Sequence, residues 1–161
     1  MTDYAINCGD PAPGGIPFTL YPGGETRRLE EFRGRWVILY FYPKDSTPGC
    51  TTEACDFRDR CQGGIPDTVV LGASRDSIKS HQRFSEKQQL NFPLISDPDE
   101  ALCRAFDVIQ EKNMYGRKTM GVERSTFIID PEGIVRAVWR KVRVKGHVEE
   151  VMAKLAELQQ G

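Results

Sequence analysis

The chain lacks several features that would assign it quickly. No apolar stretch approaches the ~18 residues that span a bilayer, so no membrane partner is expected. The opening MTDYAINCGDPAPGG has neither a basic region nor an apolar core, so no signal peptide is expected. Charge of either sign is missing in excess. Twenty-two Lys and Arg against 23 Asp and Glu leave a net charge of −1 and give no electrostatic reason to propose nucleic acid. Histidine is scarce, with two in 161 residues, His81 and His147, both read as surface or helix-end positions. Cys-x-x-Cys is absent. The five cysteines are odd in number and irregular in spacing, which excludes a secreted disulfide framework and favours a reducing cytoplasm. Internal repeats, charge blocks and low-complexity linkers are also missing. One domain over residues 1–161, long enough to bury a core, is expected.

What the chain does have is concentrated in Tyr42–Cys55, YPKDSTPGCTTEAC. The apolar run Trp36–Tyr42 reads as a buried strand that stops at Pro43. A short polar loop follows, then a helix start, with Ser46 or Thr47 as N-cap and Pro48 at the first helical position. With Thr47 as cap, Cys50 is the third helical residue. Backbone N–H groups there lack partners and the helix dipole is positive, so an anionic sulfur is favoured. The thiolate is the nucleophile, and an ordinary cysteine with a pKa of about 8.5 is little ionised at neutral pH. The bland reading, a small buried hydrophobe, loses ground in that context.

Cys55 follows five residues later. On an ideal helix this separation puts the Cα atoms roughly 8–9 Å apart, beyond the ~7 Å that a disulfide tolerates. Either the pair never bonds and Cys55 faces the core, or the first helical turn unwinds for it to bond. Cys61, some 16 Å from Cys50 along a continuous helix, is too far to pair with it. A zinc site from Cys50, Cys55 and Cys61 lacks the usual ligand spacing and a fourth ligand.

These residues carry a resemblance. Pro43-xxx-Thr47-xx-Cys50 resembles the Pro-x-x-x-Thr-x-x-Cys motif of peroxiredoxins. The longer string FYPKDSTPGCTTEAC is similar to the bacterioferritin comigratory protein/PrxQ subfamily. Gly121–Asp130, GVERSTFIID, is similar to the family's active-site arginine segment. Asp76-Ser77 with Ser80-His81, Phe92-Pro93-Leu94 with Ser96-Asp97, and Met114-Tyr115-Gly116 match as well. The likeness runs from about residue 30 to the C-terminus.

The resemblance implies a thiol peroxidase of hydrogen peroxide and organic hydroperoxides, with no cofactor and no metal. Cys50 would be the peroxidatic cysteine. Thr47 would hydrogen-bond the thiolate and the peroxide oxygen, Arg124 would stabilise the thiolate and the polarised O–O bond, and Pro43 would shield the sulfur. Cys55 would resolve the sulfenic acid as a Cys50–Cys55 disulfide, recycled by a thioredoxin- or glutaredoxin-like donor. Some relatives place the resolving cysteine in a later helix, but 81–86, HQRFSE, has none. A monomer is expected, with a dimer as the alternative. Residues 11–25, Arg75 and the extra Cys8, Cys61 and Cys103 depart from the family pattern. Glu53 reads as a first-turn acid that could also tune Arg124 or Cys50. The competing classes are a thiol–disulfide oxidoreductase acting on proteins and a non-enzymatic redox sensor.

The implied architecture is α/β, a thioredoxin-like fold with a central mixed β-sheet flanked by helices. The segments support it. Strands are expected at Trp36–Tyr42, Thr68–Ala73 and Pro93–Ser96, with a hairpin at Ser125–Asp130 and Ile134–Arg140 about Pro131-Glu132-Gly133. Helices are expected from Pro48 to about Arg60, over Ser77–Leu90, Glu100–Phe106 and His147–Gln159. The principal order is β-α-β-α-β-β-α. Residues 9–24 read as a loop with a short hairpin.

Overall fold

The computed structural model describes residues 4–161. Its strands are β1 (Phe18–Tyr21), β2 (Glu25–Arg27), β3 (Trp36–Phe41), β4 (Thr68–Ser74), β5 (Leu94–Ser96), β6 (Ile109–Met114), β7 (Arg117–Val122), β8 (Ser125–Ile129) and β9 (Val135–Trp139). Its helices are α1 (Pro48–Cys61), α2 (Ile78–Gln88), α3 (Ala101–Ala105) and α4 (His147–Gln160).

The main sheet runs β2-β1-β5-β4-β3-β8-β9. β3 lies inside it, parallel to β4 and antiparallel to β8. Side chains alternate across a strand, so β3 feeds two cores. Val37, Leu39 and Phe41 join one, with Phe106, Phe127 and the buried residues of α3. Ile38 and Tyr40, continued by Tyr42, join the other with Phe57 of α1, Phe84 of α2 and Val151 and Leu155 of α4. Burial on both faces explains why the strand reads as an unbroken apolar run. The expected mixed sheet flanked by helices is therefore present.

Local chemistry sets the element ends. α1 stops at Gln62, and Gly63 and Gly64 follow at φ +78° and +86°, a left-handed stretch open to glycine. Ser77 caps α2 by accepting from the Ser80 amide at 3.1 Å. α2 ends two residues short of expectation because Gln89 turns left-handed, at φ 55°. α3 is five residues long, and the Asp97 carboxylate accepts from its Leu102 and Cys103 amides at 3.1 and 2.8 Å.

Two regions exceed the expected order. The N-terminal hairpin is present, but β1 also pairs antiparallel with β5 and so extends the main sheet. The β6–β7 hairpin was not anticipated. Its sequence, IQEKNMYGRKTMGV, is polar and barely alternates, because much of it is exposed. Its Tyr115-Gly116 turn, with both φ positive at 54° and 78°, is the two-residue turn that a twisted hairpin favours.

Both histidines depart from expectation. His81 is fully buried in α2, and His147 is buried at the start of α4, with Nε2 2.8 Å from Thr126 Oγ1. Burial pushes the His147 imidazole down to about 4. Neither serves as a solvated helix-end charge.

Candidate active site

β3 delivers the chain to a loop, and the loop delivers it to α1. Thr47 is the N-cap and Pro48 the first helical residue, so Cys50 is the third. The Thr47 carbonyl accepts from the Thr51 amide at 2.8 Å, but its side chain does not cap the helix. Its hydroxyl donates instead to the Lys44 carbonyl at 2.8 Å. The hydrogen bond to the sulfur that the resemblance implies is thus not donated in this state, and the Thr47 oxygen keeps lone pairs to accept from a ligand. Pro43 is half-buried beside the loop. Ser46 holds φ 65°, a left-handed conformation that is costly for a side chain with a Cβ.

Cys50 is 1% exposed and a free thiol. Arg124, between β7 and β8, reaches it across 74 positions of sequence, with Nη2 3.3 Å from Sγ. The same guanidinium donates from Nη1 to Glu53 Oε1 at 2.6 Å. Gly49 leaves room for this fork, since a Cβ there would lie 3.2 Å from Arg124 Nη2. Burial opposes the charge on Arg124, but Glu53 and then Cys50 more than offset it, and the group is held more firmly protonated than a free arginine.

Glu53 corrects the bland reading. It lies in the second turn, three residues past Cys50 on the same face of α1, and is fully buried. Burial raises its pKa to about 7, although Arg124 pulls in the opposite direction. Its Oε2 has no hydrogen-bond partner among the described residues, and neither has the buried hydroxyl of Tyr40. The signal that could have revealed Glu53 is its i+3 spacing from Cys50.

The loop is fastened by a polar network that sequence reasoning missed. Asp45 accepts from Tyr42 Oη at 2.6 Å, from Ser80 Oγ at 2.8 Å and faces His81 Nδ1 at 2.7 Å. His81 Nε2 lies 2.8 Å from the Ile95 carbonyl, and the Asp45 amide donates to Asp76 at 2.9 Å. Ligand atoms of Asp45, Asp76 and His81 lie within 4.8 Å of one another. They are engaged in these hydrogen bonds, so the arrangement is accounted for as a loop anchor.

Cys55 is half-buried on the same unbroken helix as Cys50, and its thiol donates to Gln88 Oε1 at 3.5 Å. The structure therefore brings Cys50, Arg124 and Glu53 together, places Thr47 and Pro43 in the loop above them, and leaves Cys55 apart. Burial pushes the Cys61 thiol up to about 11 and raises the buried Cys103 thiol far above the cysteine range. Cys8 is exposed, beside a cleft of about 570 Å³ between β9 and α4 that none of the five expected site residues lines.

An anion-stabilising guanidinium on a sulfur at a helix N-terminus is an arrangement for nucleophilic attack by thiolate. The comparisons agree. The AhpC/TSA family model matches residues 8–138. Peroxiredoxin Bcp of Xanthomonas campestris pv. campestris is 54% identical over 145 residues, covering 87% of this chain and 88% of that protein. Peroxiredoxin Bcp of Bacillus subtilis is 49% identical over 136 residues, covering 84% and 87%. Among solved structures, the bacterioferritin comigratory protein of Xanthomonas campestris superposes with a TM-score of 0.84 at 50% identity, over 96% of this chain and 98% of that one. A PrxQ mutant of Xylella fastidiosa gives 0.89 at 44% identity, over 96% and 98%. The architecture is accordingly the thioredoxin-like fold of these relatives.

Proposed function

Because the chain belongs to the AhpC/TSA family, on its Bcp/PrxQ branch, and is a thiol peroxidase, we propose that Cys50 is its peroxidatic residue and Cys55 its resolving one. The observation that carries this reading is the Arg124 guanidinium, shared between the Cys50 sulfur and Glu53.

The Cys50 thiolate attacks one peroxide oxygen. The S–O bond forms as the O–O bond breaks, and the leaving oxygen takes a proton to depart as alcohol or water. Charge moves from sulfur to the leaving oxygen, so a fixed cation touching the sulfur stabilises both ends of the displacement. Arg124 is always charged and offers its donors as a fork, which lysine would not. Thr47 accepts a hydrogen bond from the peroxide through its free lone pairs, and Pro43 screens the sulfur from bulk water. Cys55 then attacks the Cys50 sulfenic acid, giving a disulfide and water. This step needs the first turns of α1 to unwind, because the helix holds the two residues too far apart.

The substrates are hydrogen peroxide and organic hydroperoxides, consistent with the Xanthomonas structure having been studied for alkyl peroxide reduction. Here the donor is a thioredoxin or glutaredoxin, which regenerates both thiols by exchange. Residues 1–161 act as one domain and as a monomer, without a bound cofactor. No helix among the described residues is long and apolar enough to cross a membrane, and the free thiols suit the reducing cytoplasm.

The test is a peptide map after one equivalent of hydrogen peroxide, joined to single-turnover kinetics. A rapid Cys50–Cys55 crosslink is expected. Cys50→Ser abolishes turnover. Arg124→Ala slows the oxidation step about 100- to 1,000-fold, the usual cost of one lost transition-state donor, and slows reduction far less. Turnover retained by Cys50→Ser moves the nucleophile elsewhere, and equal slowing of both steps makes Arg124 structural.

A further inference from the structure

A guanidinium carries a single positive charge, and Arg124 divides its fork between two acids. Nη2 lies 3.3 Å from the Cys50 sulfur, and Nη1 donates to Glu53 Oε1 at 2.6 Å. Cys50 and Glu53 stand on one face of α1, and both are buried. With both anionic, one buried negative charge would be left without a cation, and such a charge is costly. The surroundings do not supply a second cation. Arg124 is the sole ion-pair partner of Glu53 among the described residues. Lys112 of β6 lies within electrostatic range of Arg124 but pairs with neither acid among them.

The second carboxyl oxygen argues the same way. Oε2 is buried and has no hydrogen-bond partner among the described residues. A carboxylate spreads its charge over both oxygens, so ionisation leaves part of that charge unsolvated. Burial accordingly lifts the carboxyl to about 7 against the pull of Arg124, and Asp56, further along α1, adds to the rise. Tyr40 of β3 does not contribute a charge. Burial, and next the proximity of Glu53, raises its phenol far above the ordinary range. Other groups around the fork are occupied. Glu123 accepts from Tyr4 Oη at 2.7 Å, and His147, kept neutral by burial, lies with Nε2 2.8 Å from Thr126 Oγ1.

We propose that Glu53 is a positioning residue that acts on Cys50 through Arg124, holding a proton while the sulfur is a thiolate and releasing it when the sulfur becomes a sulfenic acid. This rests on the reading of Cys50 as the peroxidatic residue. Before attack the site holds a thiolate, a protonated carboxyl and the guanidinium. The S–O bond forms and the O–O bond breaks, so the sulfur is oxidised and the peroxide reduced. The leaving oxygen takes up one proton as Glu53 gives one up. A neutral sulfenic acid and a carboxylate then share the guanidinium. One anion faces one cation in both states, so the buried charge is unchanged by oxidation. When the reductant regenerates the thiolate, Glu53 recovers its proton from solvent.

The test uses Cys55→Ser, which keeps a donor for Gln88 and holds the reaction at the sulfenic acid. One equivalent of hydrogen peroxide is added just below pH 7, and infrared difference spectra are recorded. Oxidation is expected to deplete the carbonyl stretch of a protonated carboxyl and to add that of a carboxylate. Followed against pH, the carboxyl midpoint falls by about one unit between the reduced and the oxidised protein, the coupling of two acids on one cation. Glu53 is the only buried glutamate among the described residues, so carbon-13 labelling of glutamate carboxyls assigns the band without a substitution. Adding Glu53→Gln removes the spectral change, and oxidation then draws a proton from a weakly buffered medium, whereas the parent draws none. A carboxyl band that stays constant while mass spectrometry finds the sulfenic acid at Cys50 overturns the role of Glu53 alone. Absence of sulfenic acid at Cys50 overturns the peroxidatic assignment, and this role with it.

Discussion

Glu53→Gln tests the electrostatics of the site most directly. The substitution keeps the shape of the side chain and an oxygen for Arg124 Nη1, which lies 2.6 Å from Oε1, but removes the ionisation. Burial places the folded-state pKa at about 7 against a reference of 4.5. The sign follows from which state ionises first. Below about pH 4.5 the carboxyl is protonated in both states and has no effect on folding. As pH rises the unfolded chain ionises first, so the folded protein loses relative stability, by about 3 kcal/mol once pH passes 7. Glu53 is fully buried, so solvent does not dilute that figure. Urea unfolding of both reduced proteins should show the stability of Glu53→Gln minus that of the parent rising by about 3 kcal/mol between pH 4.5 and 7, then levelling. Groups common to both proteins cancel in the difference. A flat difference would refute the reasoning. A difference that is flat there but falls as pH rises toward 4.5 would mean that Arg124 outweighs burial and holds the carboxylate ionised.

Other perturbations give equally specific outcomes. His147 has its pKa lowered to about 4 from 6.5, so on acidification the unfolded state takes up the proton first. About 3 kcal/mol should be lost as pH falls through that window, and His147→Gln should flatten this acid limb in the same unfolding series. Gly49→Ala puts a Cβ 3.2 Å from Arg124 Nη2, and displacing the fork by a few tenths of an ångström should slow peroxide attack about tenfold in stopped-flow, with little change in the unfolding midpoint. Tyr40→Phe removes a buried hydroxyl without a partner among the described residues and should raise stability by about 1 kcal/mol in urea unfolding; a loss would reveal a hidden hydrogen bond.

Sequence reasoning reached the parts of the molecule where one residue type carries a strong local meaning. The strand that stops before Pro43, a helix start narrowed to Ser46 or Thr47 and the cysteine in its first turn were legible because each follows from backbone chemistry within a few residues, although Thr47, the cap position, makes no side-chain cap bond. Arg124 was reached by resemblance, since nothing in the spacing brings residue 124 to residue 50. Glu53, Asp45 and His81 were missed or underrated for a related reason. Their meaning is set by burial, and burial is decided by elements remote in sequence, as when Ile95 of β5 supplies the carbonyl facing His81. The β6–β7 hairpin escaped because its pairing is local but its surface is mostly exposed, leaving little hydrophobic alternation to read.

The two cores on opposite faces of β3 have a mechanical consequence. The buried apolar side chains of α1, Cys50, Ala54 and Phe57, all belong to one of them. The other, built on Val37, Leu39, Phe41, Phe106 and Phe127, contains no residue of that helix. The molecule thus has a moving part mounted on a bearing. Under the proposed resolving step, the front of the helix opens and recloses in each cycle, while the far side of the sheet provides a stationary reference to which the displaced turn can return in register with the Arg124 fork.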